Sequence, residues 1–346
     1  MKKAIVSTVL VCMAVRLAVL AGAGEALAAW VREIGPEVPE SAAEMLFEAP
    51  AEPEQPMTDI QGSGEPPEWT WVAVTPTPAC AEDGENRGET APTAAVAADL
   101  SADTLVHNST GFDVDFAALA AAGPGIILEP DAPQVLIFHT HSSEAYTPDD
   151  IDRYEESDPY RTEDKNYSVI RVGDALTEKL EDCGLTVIHD REIYDYPSYT
   201  GSYNRSGAAV EQYLAEYPSV KIVIDLHRDA LGSGDVVYKT QAALSGKTSA
   251  QVMMLVGTGE NGLWHPNWQQ NLKLALYLQR AAEAAYPGLA RPVELVSERY
   301  NQQLSPGMMI LEVGSSGNTL REALTAVELF GEAAGKALAE KIAAEA

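Results

Sequence analysis

From Gln134 onward the chain predicts an α/β fold: a mostly parallel central sheet of about six strands with helices on both faces. Two observations predict it. Continuous apolar runs of strand length recur, and amphipathic runs with a 3.6-residue period separate them. A strand buried on both faces reads as an unbroken apolar run, which is the pattern of parallel sheets covered by helices. A third observation bears on function: three of these runs end in histidines and carboxylates.

In chain order, QVLIFH (134–139) is the first strand. NYSVIRVGDALTEKLEDCG predicts a helix, with Val169, Val172, Leu176 and Leu180 on one face and Gly184 as its stop. LTVIHD is the second strand. Residues 204–217, with Ala208, Val210, Tyr213 and Leu214, predict another helix. KIVIDLH (221–227) and QVMMLVG (251–257) are the third and fourth strands. A long helix over 267–286 runs through Leu272, Ala275, Leu276 and Leu278. VELV (293–296) and MMILEVG (308–314) are the fifth and sixth strands. The last helix opens on a capping box, Thr319-x-x-Glu322, and is expected to continue through Leu320, Leu324, Val327, Leu338 and Ile342.

The upstream sequence has a different texture. Residues 1–30 carry Lys2 and Lys3 ahead of the apolar run AIVSTVLVCMAVRLAVLAGAG, with ALA at 26–28 as a signal-peptidase site. They read as a signal peptide or membrane anchor, which places the remainder in an extracytoplasmic location. Residues 31–130 read as an acidic, Pro-rich tether, largely disordered. Between 33 and 103 sixteen acidic residues face the single base Arg87. Within it EWTWVAV (68–74) reads as a local apolar cluster. The predicted catalytic domain is 131–346.

The formal net charge of −29 argues against nucleic acid as a partner, since no basic face is present to neutralise phosphates. The three cysteines, Cys12, Cys80 and Cys183, form no CxxC pair and argue against a cysteine zinc site. Cys80 and Cys183 read as two unpaired thiols in preference to a disulfide between them.

Sites in open α/β sheets lie beyond the carboxyl ends of the strands. The first strand ends in His139, His141 and Glu144. The third gives Asp225, His227 and Asp229, and the sixth gives Glu312. Catalytic zinc takes three ligands from histidines and carboxylates and keeps one position for water. His141, Glu144 and His227 meet that requirement, with His139 as an alternative ligand. Glu312 is the candidate proton carrier; its competing role is a structural salt bridge with an arginine such as Arg299. His189 reads as structural, His265 as a rim residue and His107 as exposed.

These segments resemble the stage II sporulation protein P family, which belongs with the zinc-dependent N-acetylmuramoyl-L-alanine amidases. The resemblance covers 134–330 and is carried in order by FHTHSSEAYTP, NYSVIRVGDAL, YDYPSYTGSYNRS, VIDLHRDA, HPNWQQNLKLAL, YPGLARPVEL and RYNQQLSPGMMILEVGSSGNTLREAL. It implies Zn2+ as cofactor, His141 and His227 as ligands and Glu312 as the catalytic glutamate. The chain departs from the amidase pattern at the middle ligand, where the first helix begins with Asp164, Lys165 and Asn166. Either Glu144 substitutes or an acid near 164 contributes.

The resemblance further implies hydrolysis of the amide between N-acetylmuramic acid and L-alanine in peptidoglycan, with cleavage of peptide cross-links as a second activity, during forespore engulfment in sporulation. Its implied partners are the stage II sporulation proteins D and M, with attachment to the membrane through the N-terminal segment. Arg228, Tyr199, Tyr203, Arg205 and Arg299 are candidate substrate contacts. Two other classes fit the residues. One is a zinc carboxypeptidase acting on stem peptides, with Arg228 or Arg299 on the terminal carboxylate. The other is a non-catalytic wall-binding scaffold.

Overall fold

A computed structural model describes residues 105–342 apart from 234 and 235, together with the strand at 71–74. The predicted leader, Cys12 and Cys80 lie outside the described residues. Cys183 is a free thiol. Among the described residues no helix is long and apolar enough to cross a membrane.

Twelve strands are present among the described residues: β1 (Trp71–Val74), β2 (Val106–Asn108), β3 (Val135–Phe138), β4 (Val187–His189), β5 (Ile222–Asp229), β6 (Gly232–Ser233), β7 (Val236–Thr240), β8 (Ala242–Leu244), β9 (Lys247–Ser249), β10 (Val252–Gly257), β11 (Val293–Val296) and β12 (Met308–Ser315). The helices are α1 (Phe116–Ala122), α2 (Val169–Asp182), α3 (Ser202–Glu216), α4 (Trp268–Ala285) and α5 (Leu320–Ala339). The main sheet has seven strands in the order β2-β11-β10-β12-β5-β3-β4. Only the β10–β12 pairing is antiparallel; β12, β5, β3 and β4 run parallel to one another. All six predicted strands are in this sheet.

The alternation of side chains along each strand sorts the core into two faces. Val135 and Ile137 of β3, Ile222, Ile224 and Leu226 of β5, and Met309, Leu311 and Val313 of β12 pack with the apolar stripes of α2, α4 and α5. Leu136, Phe138, Val223 and Met308 face the other way and pack with Val210 of α3. On that second face the strands change character toward their carboxyl ends. Val223 is followed by Asp225, His227 and Asp229, and Met308 by Ile310 and then Glu312. The residues of chemical interest therefore share the α3 face, at the exits of adjacent parallel strands.

Helices α2 and α5 begin where their caps dictate. Ser168 accepts the Ile170 N–H at the start of α2. Thr319 and Glu322 form the reciprocal capping box of α5. Helix α5 ends at Ala339, so Ile342 falls beyond it and instead bridges to Leu128.

Two expectations about organisation are corrected. The folded region begins well before residue 131, because β2 pairs in parallel with β11 and α1 packs near α4. Leu105 and Val106 are buried there; β2 is too short to show a period against acidic surroundings. The segment 71–74 is a strand paired antiparallel with β7, in a small sheet with β6.

Candidate metal centre and active site

His141, Glu144 and His227 converge, all buried, with their ligand atoms within 4.8 Å of one another. The chain reaches this point by leaving the sheet. Strand β3 stops at Phe138, and a turn closed by the Glu144 N–H donating to the His141 carbonyl brings the two side chains together. His227 arrives from β5. Glu144 Oε1 is 3.6 Å from His141 Nδ1, and its Oε2 is 3.4 Å from His227 Nδ1.

These residues fit a zinc ion. Ligand bonds of about 2.0–2.2 Å in a tetrahedron set neighbouring ligand atoms roughly 3.3–3.6 Å apart. Both Nδ1 atoms are buried without a hydrogen-bond partner. An unpaired buried polar atom is unfavourable, and here two of them face one carboxylate. The site holds His2Glu chemistry suited to a divalent cation.

Burial opposes ionisation of Glu144, yet Arg228 and the facing imidazoles of His141 and His227 hold its carboxyl well below the usual range. Burial also works against a charged His227, but Asp225 and Glu144 outweigh it and raise this imidazole well above its ordinary value. His141 is pushed down, chiefly by burial.

Glu312 is the fourth member. Its Cα pairs in register with His227 across the parallel β12–β5 ladder, so both side chains leave the same face. It is buried, and its Oε2 has no hydrogen-bond partner. Burial, then the charge of Asp229, pushes its pKa up to about 8. Asp229 itself takes a hydrogen bond from Arg291 at 2.7 Å.

His139 is not with the others. Its Nδ1 donates to the Leu226 carbonyl at 2.8 Å, and its Nε2 is 2.8 Å from Nε2 of His189. Both ring nitrogens are engaged, which removes it as an alternative ligand. The strand has ended at Phe138, before either His139 or His141, so the two side chains part in the turn that follows. Asp164 is exposed and binds the N–H of Asn166 in its own turn, so Glu144 is the carboxylate that meets the two imidazoles. His265 is buried, with both ring nitrogens unpartnered, and is pushed down to about 4 by burial.

The candidate substrate contacts divide. Tyr199 is 40% exposed and stacks on His141 at 4.6 Å. The Tyr203 ring stands edge-on to His141 at 5.4 Å, and its hydroxyl is buried without a partner. Arg228, by contrast, turns inward. Its Nε donates to the Ala145 carbonyl, its Nη2 to that of Tyr160, and its Nη1 lies 3.6 Å from Glu144. It braces the carboxylate ligand and presents no fork to a substrate. Arg205 spends its donors on the carbonyls of Tyr194, Thr200 and Ser198, which fixes the aromatic loop. Arg299 donates to the Trp264 carbonyl at 3.0 Å.

Arg161 and Asp195 complete the site from outside the strand exits. Asp195 accepts from the Ser143 N–H and hydroxyl and, at 2.7 Å, from Arg161. The Arg161 guanidinium also lies 3.5 Å from Glu144 and 4.9 Å from the centre of the Tyr199 ring. It sits in an aperiodic loop that offers no sequence signal.

Comparisons with known proteins agree with the resemblance seen in the sequence. The family described as stage II sporulation protein P matches residues 80–334. A stage II sporulation protein P of Bacillus subtilis (strain 168) is 31% identical over 217 residues, 58% of this chain and 51% of that relative. The chain thus spans about half the length of the curated relative it matches. Similar solved structures include an N-acetylmuramoyl-L-alanine amidase from Clostridium difficile 630, with 14% identity, a TM-score of 0.34 and coverage of 61% of this chain and 95% of that one. Another is the CwlD amidase from Clostridioides difficile in complex with the GerS lipoprotein, with 13% identity, a TM-score of 0.36 and coverage of 60% and 98%.

Proposed function

Because the chain belongs to the stage II sporulation protein P family, we propose that it is a zinc-dependent hydrolase that cuts the amide between N-acetylmuramic acid and L-alanine in peptidoglycan. One observation carries this reading: two buried, unpartnered imidazole nitrogens face one carboxylate, beside a second buried carboxylate, Glu312, that pairs in register with His227.

His141, Glu144 and His227 would hold the ion. When bound, Zn2+ supplies Lewis acidity and brings the pKa of a water toward neutrality. Glu312 then takes a proton from the attacking water at a carboxylate oxygen and returns it to the departing amide nitrogen. Its desolvated position keeps its basicity near that of the groups it exchanges with. Arg228 and Arg161 hold Glu144 ionised and in place. Tyr199 and Tyr203 offer aromatic faces against which sugar or peptide can pack.

The carboxypeptidase reading loses one of its supports, since the donors of Arg228 are engaged within the protein. We place the enzyme outside the cytoplasm, attached through its N-terminal segment, acting in forespore engulfment with the stage II sporulation proteins D and M. Cleavage of peptide cross-links is a second activity of the same site.

The test is incubation of the full chain with purified peptidoglycan, with and without chelator. Expected products are free lactyl carboxyls on muramic acid and new N-terminal alanine, both abolished by chelator and restored by Zn2+. New termini confined to the stem peptides would replace the amidase with a peptidase. Absence of any metal-dependent product would leave a scaffold.

A further inference from the structure

The mechanism above leaves Asp225 without a task. This residue is fully buried in β5, two positions before His227, so both side chains leave the same face of the strand. Burying a carboxylate is unfavourable unless its oxygens are engaged, and here they are. Its Oδ1 accepts the Thr140 N–H at 2.8 Å and its Oδ2 accepts the Thr140 hydroxyl at 2.7 Å. Its Oδ1 also lies 2.8 Å from Nε2 of His227.

Thr140 is the residue immediately before His141. A single carboxylate therefore touches the exits of both strands that deliver imidazoles. Thr140 Oγ1 is in turn 2.7 Å from Ser206 Oγ of α3, so the turn is held from both sides. The His227 contact is close but imperfectly aligned, because Nε2 lacks a well-directed acceptor. Rotation of the imidazole about its Cβ–Cγ bond decides that alignment, and ligation at Nδ1 would fix it.

We propose that Asp225 is a positioning residue of the metal site: it fixes His227 as the tautomer protonated at Nε2, leaving Nδ1 for the ion, and through Thr140 it holds the turn that presents His141. The inference rests on the reading of His141, Glu144 and His227 as a metal site. A carboxylate behind a ligating imidazole sets its tautomer and raises its basicity, and losing such a partner typically weakens metal binding about 10–100-fold.

The experiment measures Zn2+ affinity of the full chain by competition with a chromophoric chelator, for the wild type, Asp225→Asn and Thr140→Val. Two further readouts are the thermal midpoints of the chelated proteins and the nitrogen chemical shifts of 15N-labelled imidazoles. In the zinc-loaded wild type, His227 is expected to be metal-bound at Nδ1 and protonated at Nε2. Asp225→Asn is expected to weaken Zn2+ binding by about 10–100-fold with little change in the chelated midpoint, and Thr140→Val to weaken it less.

An unchanged affinity in Asp225→Asn overturns the proposal, as does Zn2+ on Nε2 of His227. A drop in the chelated midpoint with unchanged affinity assigns Asp225 a purely structural role, which also overturns it. Should Asp225→Asn fail to fold, the wild-type imidazole spectrum decides by the same criterion. A wild type that binds no Zn2+ brings down the metal-site reading itself, and that result differs from every one above.

Discussion

Two pairs of buried histidines lie almost side by side in this protein and are built in opposite ways. In the pair His139–His189 the imidazoles satisfy each other at 2.8 Å, with the Leu226 carbonyl at one end and Asp174 at the other, 3.2 Å from His189 Nδ1. In the pair His141–His227 the rings meet edge to face at 5.0 Å, and each leaves its Nδ1 without a hydrogen-bond partner. Residue type is the same, and only His189 is less than fully buried. What separates a structural histidine from a candidate ligand is whether its nitrogens have been given partners.

The sharpest way to break this comparison is to remove each histidine in turn. His141→Ala and His227→Ala should each lose stoichiometric Zn2+ by elemental analysis, and with it all peptidoglycan hydrolysis. His139→Ala should keep its metal when purified in folded form. A His139 variant that lost Zn2+ while His141→Ala retained it would reverse the assignment. Next in size is Glu312→Gln, which keeps the shape and removes the proton carrier. Turnover should fall by about 10²–10⁴-fold while Zn2+ affinity is retained. An active Glu312→Gln enzyme would mean that another group moves the proton.

A smaller effect tests the structural pair. Gly173 of α2 packs against it so closely that an added Cβ would lie 2.6 Å from His189 Nε2 and 2.8 Å from His139. Gly173→Ala should therefore destabilise the protein by about 1–3 kcal/mol through overpacking, read as a lower denaturation midpoint. Its Zn2+ affinity should be unchanged, because neither crowded ring is a ligand. A shift in affinity equal to the loss in stability would mean that the two pairs act as one unit.

How far the sequence could reveal this site follows from the geometry. Five of the six predicted strands, β3, β5, β10, β11 and β12, were legible because they are buried on both faces and read as unbroken apolar runs. Residues at their exits were legible for the same reason. The period of two also contained more than was read from it. Arg228 follows His227 directly, so its side chain leaves the strand on the opposite face, and its inward role could have been expected. Asp225, two residues before His227, had to share its face. Other features were not legible at all. Strand β2 has three residues, and β6–β9 are two to five residues long, too short to show a period. The parting of His139 from His141 depends on a turn that begins at the end of β3.

The last prediction concerns Glu144 and Glu312, buried carboxylates that the fold pushes in opposite directions. Burial raises both, but Glu144 has Arg228, His141 and His227 to overrule it, whereas Glu312 is raised further by Asp229. Without metal, Glu312 in the folded chain titrates near 8 against an ordinary value of 4.5. Between these values the unfolded chain has released this proton and the folded chain still holds it. The unfolded state binds fewer protons, so stability is fully present below the lower value and declines as pH rises toward the upper one. One such group contributes a slope of up to about 1.4 kcal/mol per pH unit. Chelated wild type should therefore lose stability to denaturant between pH 5 and about 8 more steeply than chelated Glu312→Gln. Added Zn2+ should flatten the wild-type curve, because positive charge beside Glu312 favours its ionised form. Identical slopes for the two chelated proteins would show that Glu312 is already ionised in the fold, and that its readiness to carry a proton has another origin.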